Sequence, residues 1–319
     1  LAAIENRASV RTHGLMFHHF FDDKHPKGQG AIDAGCFTRL LKEVGTDRIL
    51  SPEAWTVRAL SGALRDGDLC LTFDDALRCQ YDVALPVLDE LGLTAFWFVY
   101  SSVFEGGREP LEIFRYFRTV AFPDIDAFYD AFEAAIARLE CAELVRIKLD
   151  GVDIANHLKE AAFYTLRDRR FRYIRDLVLG PERYEDVMWQ MIRSAGFEDS
   201  IPSSLLWLDN DCLRDLAARG HAIGLHSYSH PTRLGDLPLE RQREEYKRNS
   251  DHIARILGAA PVSMSHPCGS YTSETLDMLS TMGVRIGFRA NLAQADYSLL
   301  EMPRIDHAVL MKQLNLTAA

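Results

Sequence analysis

Short apolar runs that stop at polar or acidic residues recur along this chain, and between them lie segments whose apolar positions repeat every three or four residues. The runs Gly14 to Phe17, Leu69 to Phe73 and Thr94 to Tyr100 predict three strands in the first third. Ala222 to Leu225, Val262 to Ser265 and Val284 to Phe288 predict three more in the last third, and a further strand is expected within Tyr297 to Ile305. Helices are expected over Ala34 to Val44, from Pro52, over Ala76 to Leu91, Asp211 to Arg219, Leu239 to Leu257 and Ser273 to Met282. Strands that alternate with helices imply an α/β fold with a parallel sheet. About seven such strands, without the glycine fingerprint of a dinucleotide site, favour a closed or nearly closed, distorted (β/α) barrel over an open sheet.

The rhythm changes between Ser102 and Leu206. Little there alternates like a strand, whereas Phe128, Phe132, Ile136 and Leu139, and later Tyr184, Val187, Met188, Met191 and Ile192, recur at helical spacing. The expected organisation is a barrel formed by residues 1–101 and 207–319, interrupted by a helical insertion over residues 102–206. That segment holds a basic run, Arg167, Arg169, Arg170, Arg172 and Arg175, interleaved with Phe171 and Tyr173. Such a run is first a solvated helix face and second a patch for a phosphate or uronate.

Composition narrows the class. Of 319 residues 47% are hydrophobic and 26% charged, as in a globular protein, and the net charge of -10 argues against broad nucleic-acid binding. Six cysteines (Cys36, Cys70, Cys79, Cys141, Cys212 and Cys268) lie far apart with no C-x-x-C pair, so reduced thiols in a cytoplasmic setting are expected. No stretch reaches the ~18 consecutive apolar residues of a membrane span, and the N-terminal residues show no secretory signal pattern.

The candidate chemistry sits where the predicted strands end. Leu71-Thr72-Phe73 runs into Asp74 and Asp75, Ala222 to Leu225 into His226-Ser227-Tyr228-Ser229-His230, and Met16-Phe17 into His18-His19. His266 to Tyr271 and Asp306-His307 likewise follow strands. Alone, the Asp pair could as well cap the following helix. A barrel, however, gathers its strand-to-helix loops at one rim and so makes these distant segments neighbours. Two imidazoles and a carboxylate are a usual ligand set for a catalytic divalent metal. Asp75, His226 and His230 are the candidate ligands, with Asp74 beside them as the candidate general base.

Thr72-Phe73-Asp74-Asp75, His226-Ser227-Tyr228-Ser229-His230 and Ser265-His266-Pro267-Cys268-Gly269 resemble, in order, the first three motifs of the polysaccharide deacetylases, the NodB-homology group or carbohydrate esterase family 4. The resemblance implies a metal-dependent hydrolase that removes an N-acetyl group from an amino sugar. Zinc is the first expectation for the metal, with cobalt, nickel or manganese as alternatives. It also implies that Asp75, His226 and His230 hold the metal and that Asp74 is the base. Met16 to Phe20 and Gly28-Gln29-Gly30 look like members associated with surface-polysaccharide loci, so the expected substrate is an N-acylated sugar, a nucleotide sugar or a lipid-linked glycan.

The chain departs from the family in its third, fourth and fifth motifs, the last falling on Pro303-Arg304-Ile305-Asp306-His307. Where the third motif usually begins with an Arg that orients the catalytic Asp, this chain has Ser265, and Arg304 is the candidate replacement. The backbone N–H of Cys268 resembles the oxyanion donor, and Pro267, Gly269 and Tyr271 complete that candidate substrate loop. His307 is the expected general acid, with His19 and His266 as rivals; His19 is otherwise a substrate contact. The Asp and Trp of the fourth motif have no match. Two other functions fit the same residues: a C–N hydrolase of a small amide or ureide, and a barrel that has lost catalysis and binds glycan.

Overall fold

The computed structural model describes residues 12–138, 142–159, 164–197, 203–292 and 298–316. Leu139, Cys141 and Tyr297 lie outside the described residues. The chain divides into two compact units, Leu1–Glu109 with Ser203–Ala319, and Pro110–Pro202.

The first unit contains seven strands: β1 (His13–Phe17), β2 (Leu69–Asp74), β3 (Phe96–Val99), β4 (Ala222–Leu225), β5 (Ser263–Ser265), β6 (Ile286–Phe288) and β7 (Arg304–Asp306). Their order in the sheet is β6-β5-β4-β3-β2-β1-β7, and every pairing is parallel. The two edge strands are joined through the segment leading into β7. Met302 N donates to Gly287 O at 2.8 Å, Gly287 N to Leu299 O at 2.8 Å, and Phe288 bridges to Met302 in parallel. The sheet is therefore a nearly closed barrel. The seam is tight enough that a Cβ on Gly287 would fall on the backbone of Leu300, which is why glycine stands there.

Alternation along each strand sorts side chains to the two faces. On one face Phe96, Phe98, Phe288 and Met302 pack with Cys70 and with Trp55 of α2 (Pro52–Leu60). On the other, Phe73 stacks on Trp97 at 4.5 Å, and Phe17 meets Phe37 of α1 (Ala34–Val44) edge-on at 4.9 Å. Cys70, Thr72 and Asp74 share the Phe96–Phe98 face, so β2 carries its last carboxylate into the apolar interior. The segment read as one helix from Ala76 begins later. A turn at Asp75–Ala76 precedes it, and a wide π-turn over Gln80–Ala84 leads into α3 (Leu85–Leu91). Both turn residues are left-handed, which a helix cannot accommodate.

The second unit is helical: α4 (Pro110–Val120), α5 (Ile125–Ile136), α6 (Ala142–Leu149), α7 (Leu166–Tyr173) and α8 (Gly180–Ser194). Its core is aromatic, with Phe171 packed on Phe128, Phe132 and Tyr184. α9 (Ser203–Leu206) and α10 (Asn210–Ala218) return to the barrel unit, followed by α11 (Leu239–Leu257), α12 (Ser273–Thr281) and α13 (His307–Gln313). Among the described residues no helix is long and apolar enough to cross a membrane.

Two predictions follow from the barrel. Gly287→Ala should lower the unfolding free energy by about 1–3 kcal/mol, because the added methyl meets backbone rather than a mobile side chain; a denaturant midpoint measures this. His221, buried before β4, accepts from Ala95 N at 3.0 Å, and burial pushes its pKa down from 6.5 to about 4. The unfolded chain then binds the extra proton between those two values, so stability falls as pH drops through that window, by up to about 3 kcal/mol. His221→Gln should remove that share of the acid loss in melts recorded across the same range.

Candidate metal centre

Because all strands run parallel, the loops following β1, β2, β4, β5 and β7 open at one rim. Gln80, 1% exposed, ties two of them together: its Nε2 donates to His18 O at 2.9 Å and to Asp74 O at 2.6 Å. Asp74 and Asp75 then part company. Asp74 is buried within the barrel, where Arg304 grips it with both arms, NH1 to Oδ1 at 2.7 Å and NH2 to Oδ2 at 2.8 Å. Asp75 takes a left-handed backbone conformation, φ 77°, and turns towards the histidine loop.

There its Oδ1 lies 3.2 Å from His226 Nε2 and 3.3 Å from His230 Nε2. Among the described residues these three form the one group of potential ligands whose donor atoms all lie within 4.8 Å of one another. Asp75 Oδ1 is buried and has no hydrogen-bond partner. His226 Nδ1 is held by Ser265, 2.9 Å from its carbonyl and 2.7 Å from its Oγ, which fixes the ring with Nε2 turned to the centre. Three lone pairs aimed at one point fit a divalent cation. The turn of helix that follows the Asp pair has no side-chain cap bond, and both Asp74 oxygens accept from Arg304 instead.

Electrostatics separates the two acids from ordinary carboxylates. Burial opposes ionisation of Asp74, but the Arg304 guanidinium outweighs it and holds the carboxyl below its usual range. Burial works against Asp75 too, and His230, His226 and His18 together drive it far down. For His226 burial is outweighed by Asp74 and Asp75, and proton affinity rises; for His230 burial prevails and the pKa falls to about 4.

Backbone strain concentrates here. Of seven non-glycine residues with positive φ among the described ones, five lie in the rim loops: Asp75, Ala76, Ser227, His230 and Cys268. Such conformations persist only where surrounding bonds impose them.

The other expected site residues are distributed as follows. His18, not His19, turns to the acids, its Nε2 4.0 Å from Asp74 Oδ2 and 3.9 Å from Asp75 Oδ2; His19 stacks beside it at 6.3 Å. His307 is 5% exposed, its Nε2 bonded to Gly30 O at 3.0 Å and its ring stacked on Phe17. His266 is wholly buried, with Nε2 bonded to Leu300 O at 2.9 Å, and Tyr271 stacks on it at 4.0 Å while donating its hydroxyl to Glu301. Pro267, Cys268 and Gly269 form a single tight turn in which Pro267 is buried and Cys268 exposed. The basic run of the helical unit is not an open anion patch. Arg167 pairs with Asp126 and Asp130, Arg170 with Glu133 at 2.8 Å and Arg175 with Asp176 at 2.5 Å, while Arg172 lies over the Tyr164 ring. Gln80, Asn249 and Glu245, which brace the rim, carry no local sequence signal: each is one polar residue in a helical stretch.

Residues 186–287 match the polysaccharide deacetylase family model, a span that includes His226, His230 and the Ser265–Gly269 loop but not Asp74, Asp75 or Arg304. Among curated proteins no sequence matches the chain. Its fold is similar to that of deacetylase PplD of Streptococcus pyogenes, solved in complex with acetate, at 16% identity and a TM-score of 0.56 over 94% of this chain and 93% of that one. IcaB from Ammonifex degensii is similar at 15% identity and a TM-score of 0.56, over 97% of each chain. The deacetylase domain of BpsB from Bordetella bronchiseptica is similar at 14% identity and a TM-score of 0.52, over 94% and 97%.

Removing one partner of the buried pair leaves the other charge stranded. Arg304→Met should therefore lower the unfolding free energy by about 3–5 kcal/mol, and adding Asp74→Asn should restore part of the loss. A double-mutant cycle from denaturant melts measures the coupling. Arg304→Lys should rescue poorly, because an ammonium cannot reproduce the two-armed grip.

Proposed function

Starting from a chain that carries polysaccharide deacetylase family sequence and folds as several deacetylases do, we propose that it is a metal-dependent hydrolase removing an N-acetyl group from an amino sugar of a glycan or glycan precursor. The observation that carries this reading is the convergence of Asp75, His226 and His230 beside an Asp74 held in place by Arg304. A divalent cation, zinc first, held by Asp75, His226 and His230 would supply Lewis acidity, polarising the acyl carbonyl and acidifying a water.

The remaining steps belong to the chain's own groups. Asp74 accepts the proton of the attacking water; Arg304 keeps its carboxylate ionised and fixes the direction in which it takes that proton. The Cys268 N–H, presented by its left-handed turn, donates to the oxygen that becomes negative as the carbonyl is attacked. A proton must then reach the departing sugar amine. His18 is half-buried and lies near both carboxylates, so we assign it that role. His307, whose Nε2 holds the Gly30 carbonyl, is instead a brace between the start of α13 and the loop after β1. Cleavage of the C–N bond leaves acetate and a free amine. The resemblance of Met16–Phe20 and Gly28–Gly30 to surface-polysaccharide members supports a substrate in that chemistry.

Acetate release from N-acetylated amino-sugar oligomers, measured beside formamide and ureide substrates, tests the assignment. Expected are loss of turnover on chelation, recovery with Zn2+, and a drop of about 100- to 10,000-fold in kcat for Asp74→Asn. His18→Gln should lower kcat without weakening cation uptake, whereas His307→Gln should act chiefly on stability. Hydrolysis confined to the small amides would replace the sugar assignment, and an Asp74→Asn protein as active as its parent would overturn it.

A further inference from the structure

The helix α11 is amphipathic, yet the face it turns to the barrel is interrupted by polar side chains at 242, 245, 249 and 252, a spacing that keeps them on one stripe. Three of them are almost wholly buried: Gln242 at 2%, Asn249 at 0% and His252 at 3% exposed. Burying such groups is unfavourable unless each is satisfied, and each reaches a separate rim segment. Gln242 donates to Leu237 O at 2.8 Å, and His252 faces Glu105 beyond β3 at 3.4 Å. Asn249 accepts from His226 N at 2.9 Å and donates to Val99 O at 2.9 Å, fixing the first ligand to β3.

Glu245 completes the stripe. Its carboxylate accepts from Tyr228 N at 3.0 Å, Ser229 N at 2.8 Å and Ser229 Oγ at 2.8 Å. Those residues are the middle of the five-residue loop whose ends are the two imidazoles. The loop is bent through left-handed backbone at Ser227, φ 65°, and again at His230, φ 56°. For non-glycine residues such a conformation is sterically unfavourable, so the loop on its own would relax to other shapes and carry His230 away from Asp75.

Resting on the metal-centre reading above, we infer that Glu245 is a positioning residue for that centre: by gathering three donors of the His226–His230 loop onto one carboxylate, it holds both imidazoles within reach of Asp75. It touches neither cation nor substrate. Its effect is on how tightly the cation is held.

The test uses the full chain stripped of metal and titrated with Zn2+ against a chelating dye, alongside the melting temperature of the metal-free protein. Glu245→Ala should bind Zn2+ about 10- to 100-fold more weakly than the parent. Glu245→Gln keeps an acceptor oxygen for the two backbone donors and an amide that can face Ser229 Oγ, so it should restore affinity to within a few-fold. Should the alanine variant fail to fold, Glu245→Asp, with the carboxylate drawn back by one methylene, reads the same bonds: weaker Zn2+ uptake supports the assignment and unchanged uptake overturns it. An alanine variant with parental affinity, whatever its melting temperature, overturns it as well, as does a glutamine variant as impaired as alanine. A parent protein that takes up no cation would overturn the metal centre itself, a result distinct from a variant that binds as its parent does.

Discussion

A guanidinium and a carboxylate, both enclosed in an apolar barrel, set the terms for the rest of this structure. Arg304 is 0% exposed and Asp74 2%, and each would be untenable there without the other. The pair joins the last strand to the second across β1, which lies between them in the sheet. Neighbouring positions are shaped to admit it. A Cβ on Gly14 would stand 3.0 Å from Arg304 Cγ, Thr72 Oγ1 accepts from NH1 at 3.2 Å, and Nε donates to Arg289 O at 2.9 Å. The Arg289 bond also ties the guanidinium to the chain just after β6, on the other side of the seam.

From that anchor the two adjacent acids diverge into different tasks. Strand alternation sends Asp74 inward to Arg304; the left-handed turn at Asp75 then sends the next carboxylate out to the histidine loop. Strain at the rim is matched by hydrogen bonds from outside the loops themselves: Gln80 across the ends of β1 and β2, Ser265 behind His226, and the polar stripe of α11 behind the loop between the two histidines. The site is thus held in shape by groups that lie behind it.

Much of this could be read in advance. Strand-terminal polar residues pointed to a rim, and the rim to Asp75, His226 and His230, because parallel strands must present their ends on one side. The identity of the histidine after β1 could not be read, since His18 and His19 differ only in which way the chain turns after Phe17. The basic run was similarly silent. Its arginines read alike in sequence, yet the acids of α5 that neutralise two of them lie some forty positions upstream and meet them only in the folded unit.

What the amino-acid order determined by itself is local: apolar runs with strand and helix periods, acids and imidazoles at the strand ends, and motif spacings that resemble one family. Those features follow from neighbours a few residues apart, where period and turn chemistry act directly. The tertiary structure decided which candidates take each place and which bonds hold them. Arg304 reaches Asp74 across 230 positions, and Glu245 reaches the histidine loop from the far side of a helix. Contacts of that kind depend on the pairing of strands and the docking of helices far apart in the chain, and no local pattern encodes their geometry.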